Sequence, residues 1–493
     1  MTTDKSVDPA LIEALRSQER ETRDGAAAAL VEAGRSAVPA LVGLLADPGR
    51  DFRDLVIWVL VEIGKPAVKE LLARLDSDNH TMRSAIAETL GTIGAPQAAL
   101  PLIAAMKDEE ADVRESASWA LVRIGESAIA PLIASLGDPS RFVRKGAAWS
   151  LAGIGEPAVK QLAAAVPGSD SDVRALLIDT LVQIREGATG PLVKLLGHEE
   201  PAVRMQAAGA LGRINEPEAI EPLAGLLRDG DRAVRRAAIE ALAQFDRNAF
   251  EALDAALCHT DEELRDAVMM TLGLMGRAST PFLIEKLDSP DADIRRRMAR
   301  TLGIVRDGSA LARLIDALAD PDVTVRDSAA WALGELQDPR ARTPLVAALN
   351  DTSMPPQYSL SAWALVKYDP DTVIPDLLDS LRADSPWVRW RAALSLGLFR
   401  DPRGVEPLIR ALGDTDLEVR RRVIASLGEI GEREAIEPLK RMLIDDIGDD
   451  WILVKQTITK IQTRRPSGNA RGRDADHYTE TRNGTNGNQT LPH

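Results

Sequence analysis

The sequence predicts an all-α fold, a right-handed α-solenoid in which about fifteen two-helix repeats stack into a superhelix. Two periodic signals carry that expectation. An arginine that opens an amphipathic segment recurs at Arg23, Arg53, Arg83, Arg114, Arg144, Arg174, Arg204, Arg235, Arg265, Arg295, Arg326, Arg389 and Arg420, a spacing of roughly 30 residues that signals a repeat array. A proline in the preceding segment recurs in step, at Pro9, Pro39, Pro101, Pro131, Pro191, Pro222, Pro281, Pro344, Pro375, Pro407 and Pro438. A unit of this size cannot bury its apolar stripe alone, so each one needs neighbours.

Residues Pro131 to Ala158 show the unit plainly. Proline is tolerated at a helix start, where its missing N–H has no intrahelical partner, so a short first helix is expected from Pro131 to Leu136. Gly137-Asp138-Pro139 ends it. Val143, Ala147, Ser150, Leu151 and Ile154 then recur at helical spacing, and Gly155 with Pro157 closes the second helix.

Taken in order, residues 1–8 are expected to be a frayed leader and residues 9–462 one continuous array. Repeats one to eleven carry the arginines from Arg23 to Arg326. Repeat twelve, Pro344 to Asp371, is degenerate: Met354-Pro-Pro-Gln-Tyr358 replaces the usual turn, and Tyr358 stands where the arginine belongs. Repeats thirteen and fourteen restore Arg389 and Arg420, while Lys455 takes the slot in repeat fifteen after an acidic insertion, Asp445 to Asp450. The polar, Gly- and Asn-rich tail, residues 463–493, has too little apolar surface to order itself.

The strings Asp138 to Gly155, Asp320 to Gly334 and Asp414 to Gly431, of the form Asp-Pro-x-x-x-Val-Arg-x-x-Ala-Ala-x-Ala-Leu-Gly-x-Ile-Gly, resemble the HEAT family and its short-repeat, phycobilisome-lyase-type branch. The resemblance implies second helices lining a concave surface. It implies little about function, because one scaffold carries unrelated tasks. Phycobilisome lyase subunits attach bilin, so a bilin lyase-like or chromophore-binding role stands as the alternative to a scaffold.

Composition narrows the function class. A net charge of −15 and a pI near 5.0 repel polyanions, which disfavours nucleic acid. No segment approaches about 20 uninterrupted apolar residues, so no membrane span is expected and the chain reads as cytoplasmic. Cys258 is the lone cysteine and is expected to be a buried small hydrophobe. The five histidines are scattered, with only His198-Glu199 adjacent, too few for the di-iron site of HEAT hydroxylases. No metal, cofactor or catalytic residue is assigned, and the expectation is a non-enzymatic protein.

Three polar or aromatic patterns remain. An Asp six residues before the arginine, in Asp47/Arg53, Asp108/Arg114, Asp138/Arg144, Asp229/Arg235, Asp320/Arg326 and Asp414/Arg420, is expected to form a structural ladder, the Asp accepting from the backbone that opens the second helix and the Arg reaching across the turn or to the next repeat. Tryptophan recurs five residues after the arginine slot, at Trp58, Trp119, Trp149, Trp331 and Trp363; these rings are either packed between repeats or displayed to a protein partner. Arg297, Arg391 and Arg422 share one inward-leaning position, with Arg300 a turn beyond Arg297. They form either an anion-binding strip for a partner with acidic patches or a solvated, balanced face. Tyr358, Trp363, Trp387, Trp390 and Arg391 in repeats twelve and thirteen are the expected centre of the partner site.

Overall fold

A computed structural model describes residues 8–355, 358–443 and 450–463. The expected leader, the polar tail and most of the acidic insertion lie outside the described residues. Within them the chain is helical, with no strand, and thirty α-helices pair into fifteen repeats, from Pro9–Ala14 with Arg20–Ala33 to Ile436–Met442 with Trp451–Thr463. The structure divides into two compact halves, Met1–Thr271 and Leu272–His493, and the division falls inside the second helix of repeat nine, Glu262–Met275.

Each second helix buries the same stripe. The leucine seven residues after the arginine slot, at Leu30, Leu60, Leu90, Leu121, Leu151, Leu181 and Leu211 in the first half, is fully buried every time. Recurrence at one helical position is what lets a leucine and alanine core grow repeat by repeat.

The prolines sit deeper than the sequence suggests. Pro101 and Pro407 are the third residues of Ala99–Ala105 and Val405–Ala411, still within the first turn, where backbone N–H groups lack intrahelical acceptors. Pro131 lies further in, inside Glu126–Ala134, because that helix starts five residues before the proline.

The two glycines of the Leu-Gly-x-Ile-Gly string do different jobs. Gly94 and Gly431 end helices at φ 68° and 84°. Gly91 sits inside His80–Ile93, and a Cβ there would lie 2.4 Å from Cα of Ala120 on the next second helix. Gly212 meets Ala241, Gly334 meets Ala364 and Gly397 meets Ser426 in the same way, each within 2.7 Å. These second helices lie against each other along much of their length, whereas pairs with Val61, Val122 or Ala152 at the position touch less.

One stretch, Glu262–Lys286, is long and apolar enough by length and composition to cross a membrane, and half of its most apolar window is buried inside the repeat packing.

Candidate partner-binding face

The ladder is a network that links consecutive repeats. Arg204 of repeat seven donates from Nε and Nη2 to both carboxylate oxygens of Asp229 in repeat eight, each at 2.8 Å. The same fork joins Arg83 to Asp108, Arg295 to Asp320 and Arg389 to Asp414. Each Asp also accepts from a backbone N–H two residues on, as Asp138 does from Ser140 at 2.8 Å. The arginine of the same repeat donates Nη1 to the Asp carbonyl: Arg114 to Asp108, Arg144 to Asp138, Arg235 to Asp229, Arg326 to Asp320 and Arg420 to Asp414, all at 2.7–2.8 Å. The Arg204 hydrogen bond holds the Asp229 carboxyl below its ordinary range. At Asp108 burial is the largest single effect and raises the pKa, but the bonds from Arg83 and the Glu110 N–H, with the charges of Arg83 and Arg114, together bring it below the ordinary range. Where the fork forms, the carboxylate and guanidinium are spent on each other and on the turn.

The tryptophan column divides into two kinds. Trp58, Trp119 and Trp149 are 49%, 57% and 39% exposed, and Trp119 meets Trp149 edge to face with ring centroids 4.6 Å apart. Trp331 instead lies on Gly303, whose Cβ would come within 2.6 Å of the ring, and Arg300 covers it at 5.1 Å. Trp363 is half-buried. Displayed and packed tryptophans therefore occur at the same repeat position. A glycine on the preceding second helix does not decide between them: Gly303 lies under the packed Trp331 and Gly91 lies against Ala120 beside the open Trp119.

The arginine strip is not assembled. Arg391 is fully buried, and its guanidinium donates to the carbonyls of Leu349, Met354 and Asp351 at 2.8, 2.8 and 2.6 Å. Burial lowers its pKa. Arg297 pairs with Asp293 at 2.8 Å, and Arg422 lies over the Trp390 ring at 4.5 Å. The expectation that Arg391 faces a partner is thus corrected. In repeat twelve Tyr358 cannot supply the donor that caps the turn carbonyls elsewhere, and Arg391 reaches back from repeat thirteen to supply it. A signal for this was available: the slot holds Ala85, Gly146 and Ala237 in other repeats, so a charged residue there needs an internal acceptor.

The rest of repeat twelve is fastened similarly. Asp327 of repeat eleven accepts the Leu360 N–H at 2.8 Å. Tyr368 donates its hydroxyl to the Leu333 carbonyl at 2.9 Å, and burial pushes its pKa up to about 12. Tyr358 is half-buried, while Trp387 is exposed at the start of Pro386–Phe399. Cys258 is exposed rather than buried. Among the described residues no group of His, Cys, Asp and Glu could hold a metal ion.

Sequence reasoning missed the carboxylates around the open tryptophans. Asp54 and Glu62 lie four residues either side of Trp58, and Glu115 lies four residues before Trp119, a spacing that puts each on the ring's own helix face. Glu88 occupies the tryptophan position of repeat three. All four are exposed.

The family model described as HEAT repeats matches residues 9–91, 68–152, 100–181, 159–243, 223–281, 280–366 and 374–453. A HEAT repeat-containing taxis protein of Halobacterium salinarum is 36% identical over 124 residues, which are 24% of this chain and 28% of that protein. Among solved structures, yeast importin-beta (Kap95p) is 13% identical with a TM-score of 0.36, covering 92% of this chain and 71% of that one. Kap121p bound to Ste12p is 13% identical with a TM-score of 0.39, covering 92% and 56%. The chain thus spans little more than a quarter of the taxis protein and just over half of Kap121p.

Proposed function

We propose, from the premise that the chain belongs to the HEAT-repeat family, that it is a non-enzymatic cytoplasmic scaffold which holds a protein partner on its second-helix face. One observation carries the reading: Trp58, Trp119 and Trp149 stand in one column of repeats two, four and five and remain open to solvent. Large rings left exposed at a regular spacing serve no core, and tryptophan dominates the energetics of protein interfaces. The name of the halobacterial relative supports a signalling or motility adaptor as the form this scaffold takes.

The site moves from repeats twelve and thirteen, where the sequence placed it, to repeats two to five. Affinity purification from the native host with the intact chain beside a Trp58→Ala/Trp119→Ala/Trp149→Ala variant tests this. A discrete, near-stoichiometric protein should be lost with the variant while its helical circular dichroism persists. Recovery of the same proteins with both chains would sink the assignment.

A further inference from the structure

We infer that the partner segment seated on the tryptophan column is cationic, a lysine- and arginine-bearing stretch of protein, the opposite of the acidic partner that the arginine strip suggested. The inference rests on the scaffold reading and adds the chemistry of what the scaffold holds.

Its basis is the charge around the rings. The carboxylates of Glu62, Glu88 and Glu115 are exposed and, among the described residues, make no hydrogen bond or ion pair. Asp54 has only a long contact with Arg50, at 3.9 Å. Within one turn of the tryptophan position these four carboxylates meet two cations, Arg123, which donates to the Thr92 hydroxyl, and Lys145, with Arg50 a further turn out beyond Asp54. A tryptophan face attracts an ammonium or guanidinium group through its quadrupole, and the edge-to-face Trp119–Trp149 pair leaves ring face open to solvent. Aromatic faces flanked by free carboxylates at one-turn spacing are complementary to alternating cationic and aliphatic side chains. They repel an acidic segment.

The test uses the full chain and two fluorescein-labelled twelve-residue peptides, one alternating Lys/Arg with Leu and the other alternating Glu with Leu, followed by anisotropy at 50 and 300 mM NaCl. The cationic peptide should bind, weaken several-fold with salt, and weaken about tenfold in Trp119→Ala/Trp149→Ala and in Glu88→Gln/Glu115→Gln. A control with the same loss of charge away from the column, Glu218→Gln/Glu221→Gln at the start of repeat eight, both exposed, should bind it like the intact chain. Equal binding of both peptides, or equal loss in the control and the Glu88/Glu115 variant, overturns the inference. If the partner isolated from the host depends on the tryptophans but is not displaced by the cationic peptide, the scaffold reading stands and the cationic assignment falls.

Discussion

At the scale of single residues, the structure turns on how polar groups are spent. Arg391 shows this most clearly, as a buried guanidinium whose three hydrogen bonds all go to backbone carbonyls of Leu349, Asp351 and Met354. Removing it strands those carbonyls, and Arg391→Ala should cost about 3 kcal/mol, read as an earlier urea transition. Peptide binding at repeats two to five should be unchanged, since Arg391 lies in the other half. Asp–Arg pairs in the ladder and beside it contribute stability that acid removes. Asp229 is held below its ordinary range by Arg204. At Asp293 burial pushes the pKa up, but the bonds from Arg297 and Arg296 win and bring it to about 2. The unfolded carboxyls bind protons near pH 4, above the folded ones, so this contribution is complete above roughly pH 4 and is lost as pH falls toward 2. Asp229→Asn and Asp293→Asn should each flatten the fall in stability across that window in acid titrations followed by circular dichroism.

At the scale of helices, the spacing of neighbours is set by one position. Gly91→Ala places a methyl 2.4 Å from Cα of Ala120, and the helices must separate, at a cost of about 2 kcal/mol. Gly94 lies three residues on, with φ 68° and open space around it. Gly94→Ala should cost only about 1 kcal/mol, the backbone penalty of a left-handed conformation. Comparing the thermal transitions of the two variants separates packing from backbone strain. The same penalty is already present at Gln337, exposed with φ 54° at a helix end. Gln337→Gly should therefore raise stability by about 1 kcal/mol, seen as a later thermal midpoint.

At the scale of the whole molecule, each repeat meets only its neighbours, so stability is close to a sum of repeat and interface terms. Deleting one full period, Asp108 to Gly137, joins Lys107 to Asp138 and preserves the turn chemistry. The shortened chain should stay helical and unfold at a lower midpoint, and it should lose peptide binding because Trp119 and Glu115 go with the segment. Retained binding would place the partner elsewhere on the array.

The repeat number, the two-helix unit and the ladder were legible in the sequence, because period, capping and Asp-to-Arg spacing are local and each copy restates the last. The fates of Arg391, Trp331 and Trp119 were not. Arg391 has acceptors about forty residues away in a loop that lost its own arginine. Trp331 is covered by Arg300 and by the helix of Gly303, whereas Trp119 stays open although Gly91 brings the preceding helix equally close. By itself the sequence determined a solenoid with a regular polar ladder, since each of those features is decided within one repeat and its neighbour's turn. Tertiary structure alone decided which face stays open and which charges remain unpaired on it, because both depend on which side chains neighbouring repeats bring together, and that only packing fixes.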